Sequence, residues 1–178
     1  MTRRSLPLAG VYRQLEPGPV VLLTTAHRGR HNVMTMSWHT MLEFEPPRVG
    51  CVVSDRNHSF AALKATRQCV IAVPTVELAR RVVGCGNTSG RKIDKFARFG
   101  LTAVPGTRVA APLIDECHVN LECVVIDTRG VNRYCLFVLE VQQAWVDRTH
   151  EDPRTLHHRG MGAFMVAGPT IRLRSKMR

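Results

Sequence analysis

The sequence predicts a mostly β fold, an antiparallel barrel with short helices inserted between its strands. The chain has 178 residues, 44% of them hydrophobic, which fits one domain with a full core. About six apolar, β-branched runs have strand length, and only two or three short helical patterns lie between them. Because helices do not follow every strand, a doubly wound parallel sheet is disfavoured and a barrel is favoured.

The first half of the chain alternates apolar runs with turn signals. Residues 1–18 are mixed and basic, and we expect an N-terminal arm there. PVVLLTT (19–25) predicts a strand that ends in the turn signal HRGRHN. NVMTMSWHTML (32–42) alternates apolar and polar positions, which predicts one strand with a packed side and a polar side. Two consecutive prolines then separate it from the buried run VGCVVS (49–54).

The second half adds the helices and two long strands. SFAALKAT (59–66) has helical spacing with Ser59 as the expected N-cap, and ELARRVV is expected to end as a helix at Gly84. Further elements are expected in order: a strand (69–74), a short helix stopped at Gly100, and two long strands (118–128 and 134–146) around a turn at Gly130. The main domain is assigned to 19–168, and 169–178 is expected to be a basic tail.

Charge and composition limit the classes of partner. The net charge of +11 favours an anionic partner. Nucleic acid is disfavoured, because the basic residues are spread along the chain, aromatic residues are few and no nucleic-acid motif occurs. No apolar run has membrane-span length and no signal pattern opens the chain, so we expect a cytoplasmic protein without a membrane partner. The six cysteines lack CxxC or zinc-finger spacing, so burial is expected and no metal site is predicted.

The stretch GCGNTSGRKIDKF (84–96) combines glycines, small polar groups and positive charge, as a phosphate loop does. Its spacing nevertheless fails both the P-loop pattern and the dinucleotide fingerprint. A plain linker between two helices and a phosphate-binding loop therefore both stay open. Two further polar clusters favour a ligand: the hydroxyls of 32–42, and SDRNHS (54–59) at the expected start of a helix.

No nucleophile-and-base pattern of a hydrolase accompanies these clusters. A protein without its own acid, base or metal usually takes its chemistry from a cofactor. The order PVVLLTT, NVMTMSW, a double proline before a buried strand, SGRKIDKF and APLIDECHVNLEC resembles the flavin reductase-like family, which includes flavoredoxins. The resemblance runs from about residue 19 to residue 168.

The resemblance implies an FMN-binding split β-barrel, antiparallel with Greek-key connections, usually a homodimer with flavin near the subunit interface. Three groups of residues would bind the cofactor. The ring and ribityl chain would contact Asn32, Met34, Thr35, Ser37, Trp38, His39 and Thr40. The phosphate end would contact Ser54, Arg56, Asn57, His58 and Ser59. A third group would close over the flavin or its phosphate: Ser89, Gly90, Arg91 and Lys95. His158 lies where some relatives carry a histidine near the ring, which makes it the candidate catalytic residue.

The implied activity is hydride transfer from NADH or NADPH to FMN, or in some members FAD, with electrons passing to an acceptor or a partner monooxygenase. The family also contains electron carriers that hold FMN tightly without efficient NAD(P)H turnover. The sequence does not separate these two readings. A basic nucleic-acid-binding module is the alternative from another class.

Overall fold

The computed structural model describes residues 3–149 and 152–176. Within them twelve strands and five short α-helices occur. The strands are β1 (Arg3–Ser5), β2 (Val21–His27), β3 (Arg30–Met36), β4 (His39–Glu43), β5 (Arg48–Val52), β6 (Gln68–Val73), β7 (Ala103–Val104), β8 (Leu113–Ile114), β9 (Val119–Asp127), β10 (Leu136–Asp147), β11 (Leu156–Gly160) and β12 (Ala163–Val166). The helices are α1 (Tyr12–Leu15), α2 (His58–Thr66), α3 (Ala79–Asn87), α4 (Lys95–Phe99) and α5 (Val131–Tyr134).

The main sheet is antiparallel and has eight strands, in the order β3-β2-β6-β9-β10-β5-β4, with β1 added to β10. Strands β3 and β4 lie at opposite ends of this order, yet only Ser37 and Trp38 separate them in the chain. The sheet must therefore curl until its two edges meet. The imidazole Nε2 of His39 lies 2.7 Å from the carbonyl oxygen of Pro19, which joins the β4 edge to the entry of β2. This confirms the predicted antiparallel barrel.

The apolar runs are continuous because the sheet is covered on both faces. Inside the barrel, Leu23 and Met34 pack with Ile71 and Leu121. On the outer face, Leu22 and Val33 pack against side chains of α3 and α4. Among the described residues no helix is both long enough and apolar enough to cross a membrane.

Several local predictions need correction. The run 32–42 is not one strand, because pairing is interrupted at Ser37 and Trp38. Helix α3 does not end at Gly84 but continues to Asn87. Ser59 is not the N-cap of α2, since Asn57 occupies that position and Ser59 lies inside the helix. Gly100 does end α4, with φ of 62°, as predicted.

The terminal segments contact the domain more than their sequences indicate. Arg3–Ser5 pairs with the end of β10, and Val11 and Leu15 are buried in the barrel core. Near the other end, the Thr170 hydroxyl donates to an Asp152 carboxylate oxygen at 2.6 Å. The glycine-rich stretch before the tail folds as the β11–β12 hairpin, which the sequence pattern did not indicate. The domain boundaries at residues 18 and 168 stay a prediction.

Candidate cofactor site

Three separate segments of the chain converge on Asn32 of β3. The Asn32 side-chain amide donates to the Ser59 hydroxyl at 2.8 Å, which explains why this serine is buried inside α2. Gly90 presses on the same amide: a β-carbon at position 90 would lie 2.0 Å from Asn32 Oδ1 and 3.0 Å from His58 Cδ2. Only glycine allows this approach. The strand, the start of α2 and the loop after α3 are thus held together at Asn32, which brings one residue from each of the three predicted groups of cofactor residues into contact.

The first two glycines of the 84–96 stretch have a packing role instead. Helix α3 passes through both, and a β-carbon on Gly84 would lie 2.4 Å from Phe99 Cε1 of α4. A β-carbon on Gly86 would lie 3.4 Å from Thr35 Cβ of β3. The Thr35 hydroxyl donates to the Val82 carbonyl oxygen at 2.5 Å, which ties β3 to α3. These glycines let α3 approach its neighbours, and only Gly90 belongs to the loop.

A cavity of about 220 Å³ opens where β3 ends. Its lining mixes apolar, hydroxyl and amide side chains: Met34, Thr35, Met36, Ser37, Trp38, Val52, Ser54 and Asn57. Trp38 is 71% exposed, an unusual position for a tryptophan, and it lies in the two-residue break between β3 and β4. We call this the strand-end cavity. Six of the predicted cofactor residues line it.

Lys95 and Arg91 are placed differently. Lys95 is buried, with 5% of the residue exposed, and its Nζ donates to the Cys85 carbonyl oxygen at 2.7 Å. Burial lowers the pKa of this amine. Arg91 is exposed, and its backbone N–H donates to the Ser89 hydroxyl at 3.3 Å. Lys95 therefore ties α4 to the end of α3, whereas Arg91 is open to solvent. A role for either residue in cofactor binding stays a prediction.

A second cavity of about 220 Å³ lies between the β2–β3 hairpin and α2. We call this the hairpin cavity. Predicted cofactor residues in its wall are Asn32, His58 and Gly90, and the residues that the sequence pattern did not single out are Thr25, His27, Arg28, Arg30, His31, Ala61 and Ala62. The segment HRGRHN had indicated only a turn. The density of basic residues in this segment is the feature of the sequence that could have indicated a cavity wall there.

The remaining predicted residues lie elsewhere. His39 bonds to Pro19 and, with Thr40, lines a separate cavity of about 290 Å³ beside α1. Arg56 lies in the exposed turn before α2, where its backbone N–H donates to the Ser54 hydroxyl. His158 is exposed on β11 with its ring 5.3 Å from that of Phe164, and it lines neither the strand-end nor the hairpin cavity. A role for these three groups in cofactor binding stays a prediction.

The residues present fit a flavin mononucleotide. The strand-end cavity offers methionine and tryptophan surfaces for a flat ring with hydroxyl and amide groups for its polar edge. The hairpin cavity offers cations for a phosphate. The backbone N–H groups at the N-terminus of α2 can also meet an anion, because the Asn57 side chain does not cap them. The two cavities share β3 as a wall: residues 30–32 line one and residues 34–36 the other.

Comparison with known proteins agrees with this fold. The family described as "Flavin reductase like domain" matches residues 12–164, so the chain belongs to the flavin reductase-like domain family. An uncharacterized protein of Pyrococcus abyssi is 35% identical over 130 residues, 73% of this chain and 74% of that protein.

Two solved structures are similar over most of their length. The FMN-binding domain of a flavin reductases-like enzyme from Shewanella baltica OS155 has a TM-score of 0.90 and 27% identity, with 97% of this chain and 98% of that chain covered. The flavoredoxin of Desulfovibrio vulgaris (Miyazaki F) has a TM-score of 0.79 and 23% identity, with 88% and 90% covered, and at that identity the likeness concerns the fold. The predicted family and the split-barrel fold are confirmed.

Proposed function

We propose that this protein binds FMN and catalyses hydride transfer from NADH or NADPH to the flavin. The observation that carries the proposal is the convergence of β3, the start of α2 and the loop at Gly90 around the Asn32 amide, beside two cavities on the same strand. A plain linker between two helices would not require such a close backbone approach at Gly90. In a cofactor site the approach shapes the polar end.

The strand-end cavity would hold the ring. Met34 and Trp38 provide apolar surface, and Ser37, Ser54 and Asn57 provide hydrogen-bonding groups at its edge. The exposed indole of Trp38 can pack on a flat ring and exclude water from one side of it. Arg91 and the N-terminus of α2 would hold the phosphate end by charge and by backbone N–H groups.

When bound, FMN supplies the redox chemistry, accepting a hydride from the nicotinamide and delivering electrons to an acceptor. The described residues of the site contain no cluster typical of a metal centre. The protein's contribution is then mainly orientation, because two flat rings must be held face to face within reacting distance. Hydrogen-bond donors at the ring edge would stabilise the negative charge of the reduced flavin. His158 is proposed as a polar group beside the nicotinamide.

We infer that the protein acts as a homodimer. Large apolar side chains are exposed next to the strand-end cavity, at Trp38, and on the neighbouring strand β4 and its turn, at Leu42 and Phe44. A second copy would cover such surface and would make the ring site part of the interface. His158 lines neither the strand-end cavity nor the hairpin cavity of its own chain. In a dimer, the β11–β12 hairpin that carries His158 would instead contribute to the site of the second copy.

The activity is tested by following NADH and NADPH absorbance with purified protein and added FMN, and separately with FAD. Rapid oxidation that saturates in FMN supports the proposal. A colourless protein that neither binds FMN nor accelerates nicotinamide oxidation contradicts it. Sedimentation with and without FMN tests the dimer, since a monomer with full flavin affinity contradicts a site shared between subunits.

An FMN-holding electron carrier is the second candidate, favoured by the structural likeness to a flavoredoxin. Such a carrier would retain its flavin through purification and would be reduced by NAD(P)H only slowly. Reduction by a chemical donor, followed by electron transfer to an added acceptor protein, would then be its measurable activity. A partner monooxygenase as the acceptor belongs to the first candidate.

A further inference from the structure

The cavity of about 290 Å³ beside α1 follows a free edge of the main sheet. Its wall includes the six consecutive residues from His39 to Phe44, which form β4 and the start of the next turn. Side chains of a strand alternate between its two faces, so a cavity that touches every residue in succession follows the edge of the strand. Among the described residues β4 pairs with β5 alone. We call this cavity the edge groove.

The edge groove presents ordered apolar surface. Leu42 and Phe44 are 52% and 54% exposed. The Phe44 ring is held by an edge-on contact with Tyr12 of α1, with ring centroids 4.9 Å apart. Proteins usually cover or blunt an unpaired strand edge, because its free backbone groups can pair with another extended segment. The sequence of β4 contains neither proline nor lysine to prevent such pairing.

The edge groove is also acidic, in a strongly basic protein. Glu16 and Glu43 line it, both are exposed, and no described lysine or arginine lies in its wall. Neither carboxylate forms an ion pair with a described cation. The chain as a whole carries a net charge of +11, so an exposed acidic groove is an exception on this surface. Its charge favours a basic occupant and disfavours an acidic one.

The C-terminal tail has the complementary pattern. Residues 171–176 read IRLRSK and are all exposed, with Ile171 at 77% and Leu173 at 81%. In an extended chain the two aliphatic side chains would fall on one side and the three basic ones on the other: Arg172, Arg174 and Lys176. Alternation of this kind is typical of a strand with one packed face.

The tail leaves the domain beside α1. Thr170 anchors its start, since the backbone N–H and the hydroxyl both donate to the Asp152 carboxylate, at 3.1 and 2.6 Å. Arg172 then shares a cavity wall with Arg13 of α1. Leu15 of the same helix lines the edge groove, yet no described residue of the tail does. A two-fold axis beside α1 would bring the tail of one copy to the groove of another.

We propose that the tail of one copy docks in the edge groove of a second copy, as an extended segment added to β4. Backbone hydrogen bonds would hold it to the strand edge, its aliphatic side chains would pack on Leu42 and Phe44, and its basic residues would lie near Glu16 and Glu43. The six described residues after Thr170 span about 20 Å when extended, enough to follow the whole of β4. Each copy provides one tail and one groove. This docking rests on the proposed homodimer and assigns the segment that joins the two copies.

Disulfide trapping tests the contact. One full chain carries Leu173→Cys and another, isotopically labelled, carries Leu42→Cys. Oxidation of the mixture should join one chain of each kind, as mass spectrometry of the dimer would show. Five of the six native cysteines are buried and do not compete. Ile126→Cys is the control for Leu42→Cys, because Ile126 is 41% exposed on β9, which does not line the groove.

Two trapping results overturn the docking. One is equal joining of position 173 to positions 42 and 126. The other comes from a single chain that carries both Leu42→Cys and Leu173→Cys. If oxidation closes a disulfide within that chain and joins no second copy, the tail occupies its own groove.

Charge reversal tests the same contact by its strength. Arg172→Glu with Arg174→Glu reverses the tail, and Glu16→Arg with Glu43→Arg reverses the groove. Each pair of changes should weaken the dimer about 10-fold at low salt, because several exposed ion pairs become repulsive together. All four changes in one chain should restore most of the affinity. Arg133→Glu, an exposed position on α5, is the control and should leave the affinity unchanged.

Sedimentation of these variants separates the docking from the proposed function. A dimer of equal affinity in wild type and in both reversed proteins leaves the homodimer standing and overturns docking by the tail. A chain that is monomeric at every concentration, with and without FMN, overturns both. A dimer that depends on the tail in a protein that binds no flavin leaves the docking standing and overturns the proposed flavin function instead.

Discussion

Gly90 lies so close to Asn32 that a β-carbon at position 90 would come within 2.0 Å of the asparagine's side-chain oxygen. The Asn32 amide cannot move away freely, since its nitrogen is bonded to Ser59 at 2.8 Å. This contact joins the loop after α3 to β3 and to α2. It converts a glycine in an irregular loop into a residue that shapes the site.

We expect Gly90→Ala to lower both stability and FMN affinity. The added methyl must displace the Asn32 amide, and such overpacking costs about 1–3 kcal/mol of unfolding free energy. Urea unfolding and FMN titration measure the two effects. Gly168→Ala is the control, because nothing lies within 4 Å of its β-carbon position, and it should match wild type in both measurements. Wild-type behaviour of Gly90→Ala would contradict the role of the contact.

Arg91 and Lys92 provide a matched pair of exposed cations in one loop. If Arg91 holds the phosphate end of the flavin, Arg91→Ala should weaken FMN binding about 10-fold at low salt, since a charge-assisted contact contributes roughly 1.5–3 kcal/mol. Its melting temperature should not change. Lys92→Ala should bind FMN as wild type does. Equal affinities in the two variants would remove Arg91 from the site.

Lys95 should behave differently from Arg91. Its ammonium donates to the Cys85 carbonyl inside the protein, so Lys95→Met should lower the free energy of unfolding by roughly 1–2 kcal/mol through the lost hydrogen bond. Any loss of FMN affinity should be smaller than in Arg91→Ala. Calorimetry measures the stability of the two variants and flavin titration measures their affinity for FMN, and the two results together separate a structural role of Lys95 from a binding role. A Lys95→Met protein of full stability that fails to bind FMN would assign the amine to the ligand instead.

The two tryptophans allow ring binding to be located. Trp38 is exposed at the strand-end cavity, whereas the Trp145 indole N–H donates to the Glu122 carboxylate at 2.8 Å. A flavin ring packed on Trp38 should quench its fluorescence strongly. We expect Trp38→Phe to lose most of the FMN-induced quenching and Trp145→Phe to retain it. The reverse pattern would place the ring elsewhere.

His39 predicts a dependence of stability on pH. The Pro19 carbonyl can only accept, so His39 Nε2 carries the hydrogen, and Nδ1 is buried without a partner. Burial lowers the pKa of His39 below its ordinary 6.5 in the folded state. The unfolded chain then binds the proton more readily, so this contribution to stability is present above pH 6.5 and is lost as the pH falls through the lowered value.

Urea unfolding at several pH values between about 5 and 8 measures this effect. His39→Gln retains a side-chain donor for Pro19 but does not titrate, so its stability should fall less steeply as the solution is acidified. The other histidines are common to both proteins, and the difference between the two curves isolates His39. Parallel curves would show that His39 titrates in the folded protein as it does in the unfolded chain.

Much of the candidate site was predictable because short-range chemistry encodes it. Ser37, Trp38, Ser54 and Asn57 were selected from motifs and line one cavity. The hairpin cavity was not predictable. It needs Thr25 of β2, Arg30 of β3 and His58 of α2 to meet, and no local pattern marks residues that become neighbours only when the sheet forms. The register of the β2–β3 hairpin sets Thr25 opposite Asn32 and so completes that wall.

The sequence by itself determined the antiparallel barrel class, the family, the stop of α4 at Gly100 and six of the eight residues that line the strand-end cavity. These depend on alternation, turn chemistry and motifs, which act over a few residues. Only the tertiary structure decided that Gly84 and Gly86 lie in a helix, that Lys95 is buried and that the β2–β3 hairpin has a charged cavity. Each of these depends on close packing between segments distant in the chain, since burial and contact distance exist only after the sheet has curled.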